Sequence, residues 1–68
     1  MSKFSEILKT LRKEEKVSQE KLAESLGVAQ QCISLWEKDL SEPTMSNLVG
    51  IADFFGVSLD YLVGRKEF

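Results

Sequence analysis

Apolar residues recur along this chain at intervals of three and four. Phe4, Ile7, Leu8 and Leu11 share one face of a helix at that spacing, and Ser2 is placed to cap its start. The polar run 13–16 ends the element. Ser18 can cap a second helix that carries Leu22, Ala23 and Leu26 inward, and Gly27 suits the left-handed turn just beyond it. A third helix is predicted over residues 30–38, with Ile33 and Trp36 apolar. The stretch LSEPT reads as a loop, because Pro43 disfavours helical backbone at Glu42 and Thr44 can cap the next helix. That fourth helix runs through Leu48, Ile51 and Ala52 to about Phe55, and Gly56 closes it. Ser58 then caps a short fifth helix with Leu59 and Leu62, stopped by Gly64. No stretch alternates as a strand would. The pattern predicts an all-α fold, a compact five-helix unit forming a single domain over residues 1–68, with no repeat, linker or low-complexity segment.

The second and third helices belong together in QEKLAESLGVAQQCISLWEK, residues 19–38. Ala23 is small where a second helix would cross closely. Gly27 follows four residues later at the turn, and Ile33 faces back into the angle between the helices six residues after that. Leu22, Leu26, Val28 and Trp36 fill the other inward positions. Two short helices joined by a tight, glycine-containing turn make a helix-turn-helix. The second helix of such a motif can enter the DNA major groove by its N-terminal end.

Composition narrows the chemistry. At 68 residues, a chain buries only ~60% of its unfolded surface, so stability depends on good packing. Hydrophobic residues make up 43% and charged residues 29%, as in ordinary soluble domains. No apolar run is long enough to span a membrane and no signal-peptide pattern opens the chain, so the expected compartment is the cytoplasm. A lone cysteine, Cys32, has no internal disulfide partner and reads as a small, part-buried helix residue. The absence of histidine removes a Cys/His zinc site and any His-activated nucleophile. With no paired carboxylates in a recognisable frame and no phosphate-binding glycine loop, an enzyme is not expected, nor is a cofactor.

The segments LKTLR, SQEKLAESLGV, ISLWE, EPT and IADFFGVSLDYLVG cover nearly the whole chain. In combination they resemble the phage Cro/repressor (XRE-like) family of helix-turn-helix domains. The resemblance implies a repressor-like DNA-binding domain, a transcriptional regulator that is usually dimeric, with double-stranded DNA as its partner.

Within that frame Gln30 and Gln31 sit at the tip of the candidate recognition helix, where members of the family have a similar pair. A glutamine amide carries a donor and an acceptor side by side, matching N6 and N7 on the major-groove edge of adenine, and such a pair discriminates by ~1–3 kcal/mol. The plainer reading is that glutamine is a good helix former on exposed surface. Ser34 and Leu35, one turn on, are further candidates for base contact; Leu35 is equally placed to be a packing residue or to touch a thymine methyl. The resemblance assigns Gln19 to phosphate and to support of Gln30. Lys13, Lys16, Lys38, Thr44 and Met45 complete the candidate phosphate contacts. Arg12 and Glu37 match a family ion pair bridging the first and third helices; two solvated surface charges are the alternative.

The charge balance runs against the DNA-binding reading, and two features depart from the family. The net charge is −2, where DNA-binding domains are often basic. Asp39 stands where many members have glycine, and Leu40, Ser41 and Glu42 stand where many are basic; Asp39 tolerates a left-handed backbone, but nothing replaces the cations. Ala29 lies where serine or threonine commonly caps the recognition helix. An acidic total with Leu35, Leu40 and Phe68 as candidate surface residues also suits a protein-interaction module, such as an antitoxin or anti-repressor. For the DNA-binding reading, a palindromic operator and a homodimer are expected, with Tyr61, Val63 and Phe68 near the chain end as the candidate contact; Tyr61 and Val63 could instead close the core.

Overall fold

The structure, a computed structural model, describes residues 3–65. Its helices are α1 (Lys3–Glu14), α2 (Gln19–Leu26), α3 (Gln30–Glu37), α4 (Met45–Phe55) and α5 (Leu59–Leu62), with no strand among the described residues. The expectations of Ser2 as a cap and of Phe68 as a contact lie outside them.

Short-range chemistry sets most of the boundaries. Ser18, Thr44 and Ser58 have extended backbone, and their hydroxyls accept hydrogen bonds from the amides of Lys21, Asn47 and Tyr61 at 3.0, 3.2 and 3.0 Å. Each satisfies one of the N–H groups that a helix start leaves unpaired. Ala29 has the same extended backbone before α3 but supplies no side-chain cap.

The helix ends share one device. Past each of the five lies a residue with positive φ: Lys16, Gly27, Asp39, Gly56 and Gly64. In every case the next residue's N–H reaches back across the turn, as with Val17 to the Arg12 carbonyl and Leu40 to the Leu35 carbonyl, both at 2.9 Å. This is the Schellman closure, which satisfies the last carbonyls of the helix. Glycine enters the left-handed region freely, whereas Lys16 (φ 58) and Asp39 (φ 62) do so against a steric cost. The turn at Asp39 also corrects the expected extent of the third helix. Lys38 is the cap, at φ −90 and ψ 0, and α3 ends at Glu37.

Each helix contributes one fully buried side chain to a common core: Leu8, Leu22, Ile33, Ile51 and Leu62. Phe4, Leu11, Ala23, Trp36 and Ala52 complete it, and Ile7, Val17, Leu26, Val28, Leu48, Phe55 and Tyr61 pack around it from half-buried positions. Burial of a side chain the size of leucine contributes ~1.5–3 kcal/mol. α2 lies chiefly on α3, α1 packs on α3 and α4 packs on α2, so both helices of the helix-turn-helix are held by the rest of the fold. Where α2 passes α4, a Cβ added at Gly50 would lie 2.9 Å from Leu26 Cδ2. Ser5, beside Phe4 on α1, is buried as well. No helix among the described residues is long and apolar enough to cross a membrane.

Candidate nucleic-acid interface

The turn between α2 and α3 is closed by Gly27, whose φ of 72 lets Val28 bond back to the Ala23 carbonyl at 3.0 Å. Val28 then packs inward, Ala29 leads into α3, and Ile33 and Trp36 bury one face of that helix. The opposite side of its first turn carries Gln30 and Gln31, both exposed. Ser34 and Leu35, one turn later, are half-buried. Ala29 supplies no side-chain cap, and of the first-turn amides that of Cys32 bonds back to the Ala29 carbonyl at 3.0 Å, so the amides of Gln30 and Gln31 are the ones that could meet an anion at the helix start.

Behind the glutamines runs a chain of side-chain hydrogen bonds. Arg12 Nε donates to Glu37 Oε2 at 2.6 Å and Nη2 donates to Glu37 Oε1 at 3.1 Å, a bidentate ion pair from α1 to α3. Arg12 Nη1 also donates to the Val17 carbonyl at 3.0 Å, tying in the α1–α2 turn. Gln19 Nε2, at the first position of α2, donates to Glu37 Oε1 at 3.0 Å. Gln30 Nε2 then donates to Gln19 Oε1 at 3.5 Å. Side-chain exposures of 15% for Arg12 and 5% for Glu37 decide between the two readings of this pair: it is a shielded bridge, not two solvated charges.

Burial pushes the Glu37 carboxyl up, but hydrogen bonds from Arg12 and Gln19, with the attraction of Arg12 and Lys9, outweigh it and hold the group below the usual carboxylate range. The hydrogen bond to Glu37 raises the already high Arg12 value against the opposing effect of burial. The pair is therefore fully charged at neutral pH.

Lys13, Lys16, Lys38, Thr44 and Met45 are all exposed, on the α1–α2 turn, the end of α3 and the start of α4. Among the described residues no hydrogen bond or ion pair joins their side chains to the amide chain. The Thr44 oxygen already accepts its capping bond, and its hydroxyl proton remains to donate. Cys32 is half-buried and packs against the core. Two features escaped sequence reasoning: the bond from Gln19 to Glu37, and the nearness of Lys9 to that carboxylate. Neither leaves a sequence signal, since Gln19 and Glu37 are 18 residues apart. Among the described residues no cluster of three or more His, Cys, Asp or Glu side chains could hold a metal ion.

The profile of the helix-turn-helix family HTH_3 matches residues 8–62. This chain belongs to that helix-turn-helix family, the XRE-type domains of phage repressors and related regulators. The family is one of DNA-binding transcription regulators rather than enzymes. The transcriptional activator BcrR of Enterococcus faecalis is 41% identical over 64 residues, which are 94% of this chain and 31% of that protein. The transcriptional regulator YqaE of Bacillus subtilis is 38% identical over 60 residues, 88% of this chain and 52% of its own length. This helix-turn-helix chain thus spans between about a third and a half of these two relatives. The P22 c2 repressor in complex with a synthetic operator has the same fold, with a TM-score of 0.86 and 32% identity, covering 93% of this chain and 96% of that one.

Proposed function

We propose that this helix-turn-helix chain is a sequence-specific DNA-binding transcription regulator of the repressor type. α3 lies in the major groove of its operator, and Gln30 and Gln31 read base edges there. The observation that carries the reading is the exposed Gln30–Gln31 pair at the N-terminal end of α3, on a fold shared with a repressor crystallised on an operator. Ser34 and Leu35 face the groove one turn further on. Gln19, the uncapped start of α3, Thr44, Met45 and the lysines at 13, 16 and 38 meet the flanking phosphates. Because one recognition helix reads only a few base pairs, two chains bind a palindromic site with half-sites about one helical turn apart. Their contact lies near Tyr61 in α5 and Val63 at its end, both half-buried. The work is done in the cytoplasm by one domain.

Selection from a random duplex library, followed by anisotropy titration of the selected site and of random DNA, tests this. Gln30→Ala and Gln31→Ala are each expected to weaken the selected site by ~1–3 kcal/mol and to relax preference at one position per half-site. Equal losses on selected and random duplex would remove these glutamines from base readout.

A further inference from the structure

We propose that Lys9 of α1 contacts a phosphate of the DNA backbone, and so supplies from the first helix part of the charge that the α3–α4 loop lacks. This contact rests on the DNA-binding reading above and concerns the backbone, not the choice of base. A duplex carries one negative charge per ~1.7 Å of its axis. The loop that follows α3 meets it with Asp39 and Glu42 and no cation between them. Lys9 stands three residues before Arg12, a spacing that puts both on one flank of α1. That flank is the one beside α3, since Arg12 reaches across to Glu37. Lys9 itself is exposed, and its charge is among those that hold the Glu37 carboxyl low. The same carboxylate takes a hydrogen bond from Gln19, the first residue of α2. Lys9 therefore lies on the side of the domain where α2 begins, with its amides open to an anion.

The charges at this junction do not balance. Arg12 commits Nε and Nη2 to Glu37 and Nη1 to the Val17 carbonyl, so its charge is spent inside the fold. Arg12 and Glu37 cancel, and the charge of Lys9 is left over. Among the described residues no hydrogen bond or ion pair holds its ammonium. Lysine is a compact charge with three donors on a flexible four-carbon stem, so it can meet a phosphate without a fixed geometry. Lys3, on the same helix, serves as the contrast. It lies ~9 Å back along the axis and about a third of a turn round. Its stem rests on the turn after α5, where a Cβ added at Gly64 would lie 2.6 Å from Lys3 Cβ. The two lysines carry equal charge on different sides of the domain.

Anisotropy titrations of random duplex across a salt series test this on Lys9→Gln, Lys9→Arg and Lys3→Gln. Each glutamine variant lowers the net charge by one, so only the place of the lost charge differs. Lys9→Gln is expected to make the slope of log affinity against log salt shallower by ~0.9, the share of one phosphate. Selected and random duplexes should weaken by the same factor, since a backbone contact carries no sequence information. Lys9→Arg and Lys3→Gln are expected to keep the wild-type slope. An unchanged slope in Lys9→Gln would overturn the contact. Equal flattening in Lys3→Gln would overturn it too, by assigning the effect to the field of the whole domain. A wild-type chain whose affinity for duplex did not respond to salt would overturn the DNA-binding reading itself. Acetylation of lysines read by mass spectrometry repeats the test without mutation. Random duplex is expected to slow modification of Lys9 and to leave Lys3 unaffected. An unchanged rate at Lys9 with DNA bound would overturn the contact.

Discussion

At Glu37 a carboxylate of 7% exposure is surrounded by donors from Arg12 and Gln19. Removing one partner of such a bridge strands the other charge, at ~3–5 kcal/mol. Arg12→Met is therefore expected to cost about that much in urea unfolding, and Arg12→Met with Glu37→Met to recover a large part of it, since no unpaired charge is then buried. A double variant no better than the single one would contradict this account. The pH dependence follows from the depressed carboxyl. Its contribution is fully present above the unfolded-state value of ~4.3 and is lost as pH falls through the lower folded-state value. The stability gap between wild type and Glu37→Gln should accordingly narrow only in the acid range below ~4. Lys16 presents a different kind of cost. Its φ of 58 strains a non-glycine residue, so Lys16→Gly is expected to stabilise by up to ~1 kcal/mol, which for a domain of this size raises the melting temperature by ~4–8 °C. The same change removes a candidate phosphate contact, so DNA affinity should fall while stability rises.

The helices differ in how completely their ends are satisfied. α2, α4 and α5 begin with hydroxyl caps, and α3 alone among these four has none. A capping hydroxyl in place of Ala29 is worth ~0.5–2 kcal/mol. Ala29→Ser is thus expected to raise the unfolding free energy by that order, measured by chemical denaturation. The serine oxygen would also compete with phosphate for the first amides of α3, so the gain in stability should not be matched by a gain in DNA affinity. The caps at Ser18, Thr44 and Ser58 were legible in the sequence because each acts over only three residues, whereas the left-handed turn at Asp39 was legible only through the family resemblance, in which many members have glycine there. The matching turn at Lys16 was not. Lysine carries no signature of that backbone, and only the Val17 bond back to Arg12 reveals it.

For the whole molecule, the net charge of −2 places the burden of phosphate binding on local cations. The α3–α4 loop supplies none between Asp39 and Glu42. Leu40 closes the end of α3, as Val17 and Val28 close α1 and α2, but those two pack on the core while Leu40 is 69% exposed. Leu40→Lys therefore carries no packing cost. It is expected to raise affinity for all duplexes alike and to steepen the salt dependence by about one phosphate equivalent. An unchanged slope in a salt titration would place this loop away from the DNA backbone.

The five helices, the hydroxyl caps of α2, α4 and α5 and the glycine turn between α2 and α3 were legible in the sequence itself, because each depends on neighbours within about a turn: an apolar period, a hydroxyl before a helix, a glycine after one. The five residues that meet at full burial, Leu8, Leu22, Ile33, Ile51 and Leu62, follow from the same period, one from each helix. What the tertiary structure decided is the state of the side chains between helices. Arg12 and Glu37 stand 25 residues apart, and the sequence left them as either a bridge or two surface charges. Only the packing of α1 on α3 withdraws both from water, brings them to 2.6 Å, and sets Gln19 against their carboxylate. The direction of a hydrogen bond depends on which atoms meet in space, and spacing along the chain does not contain it.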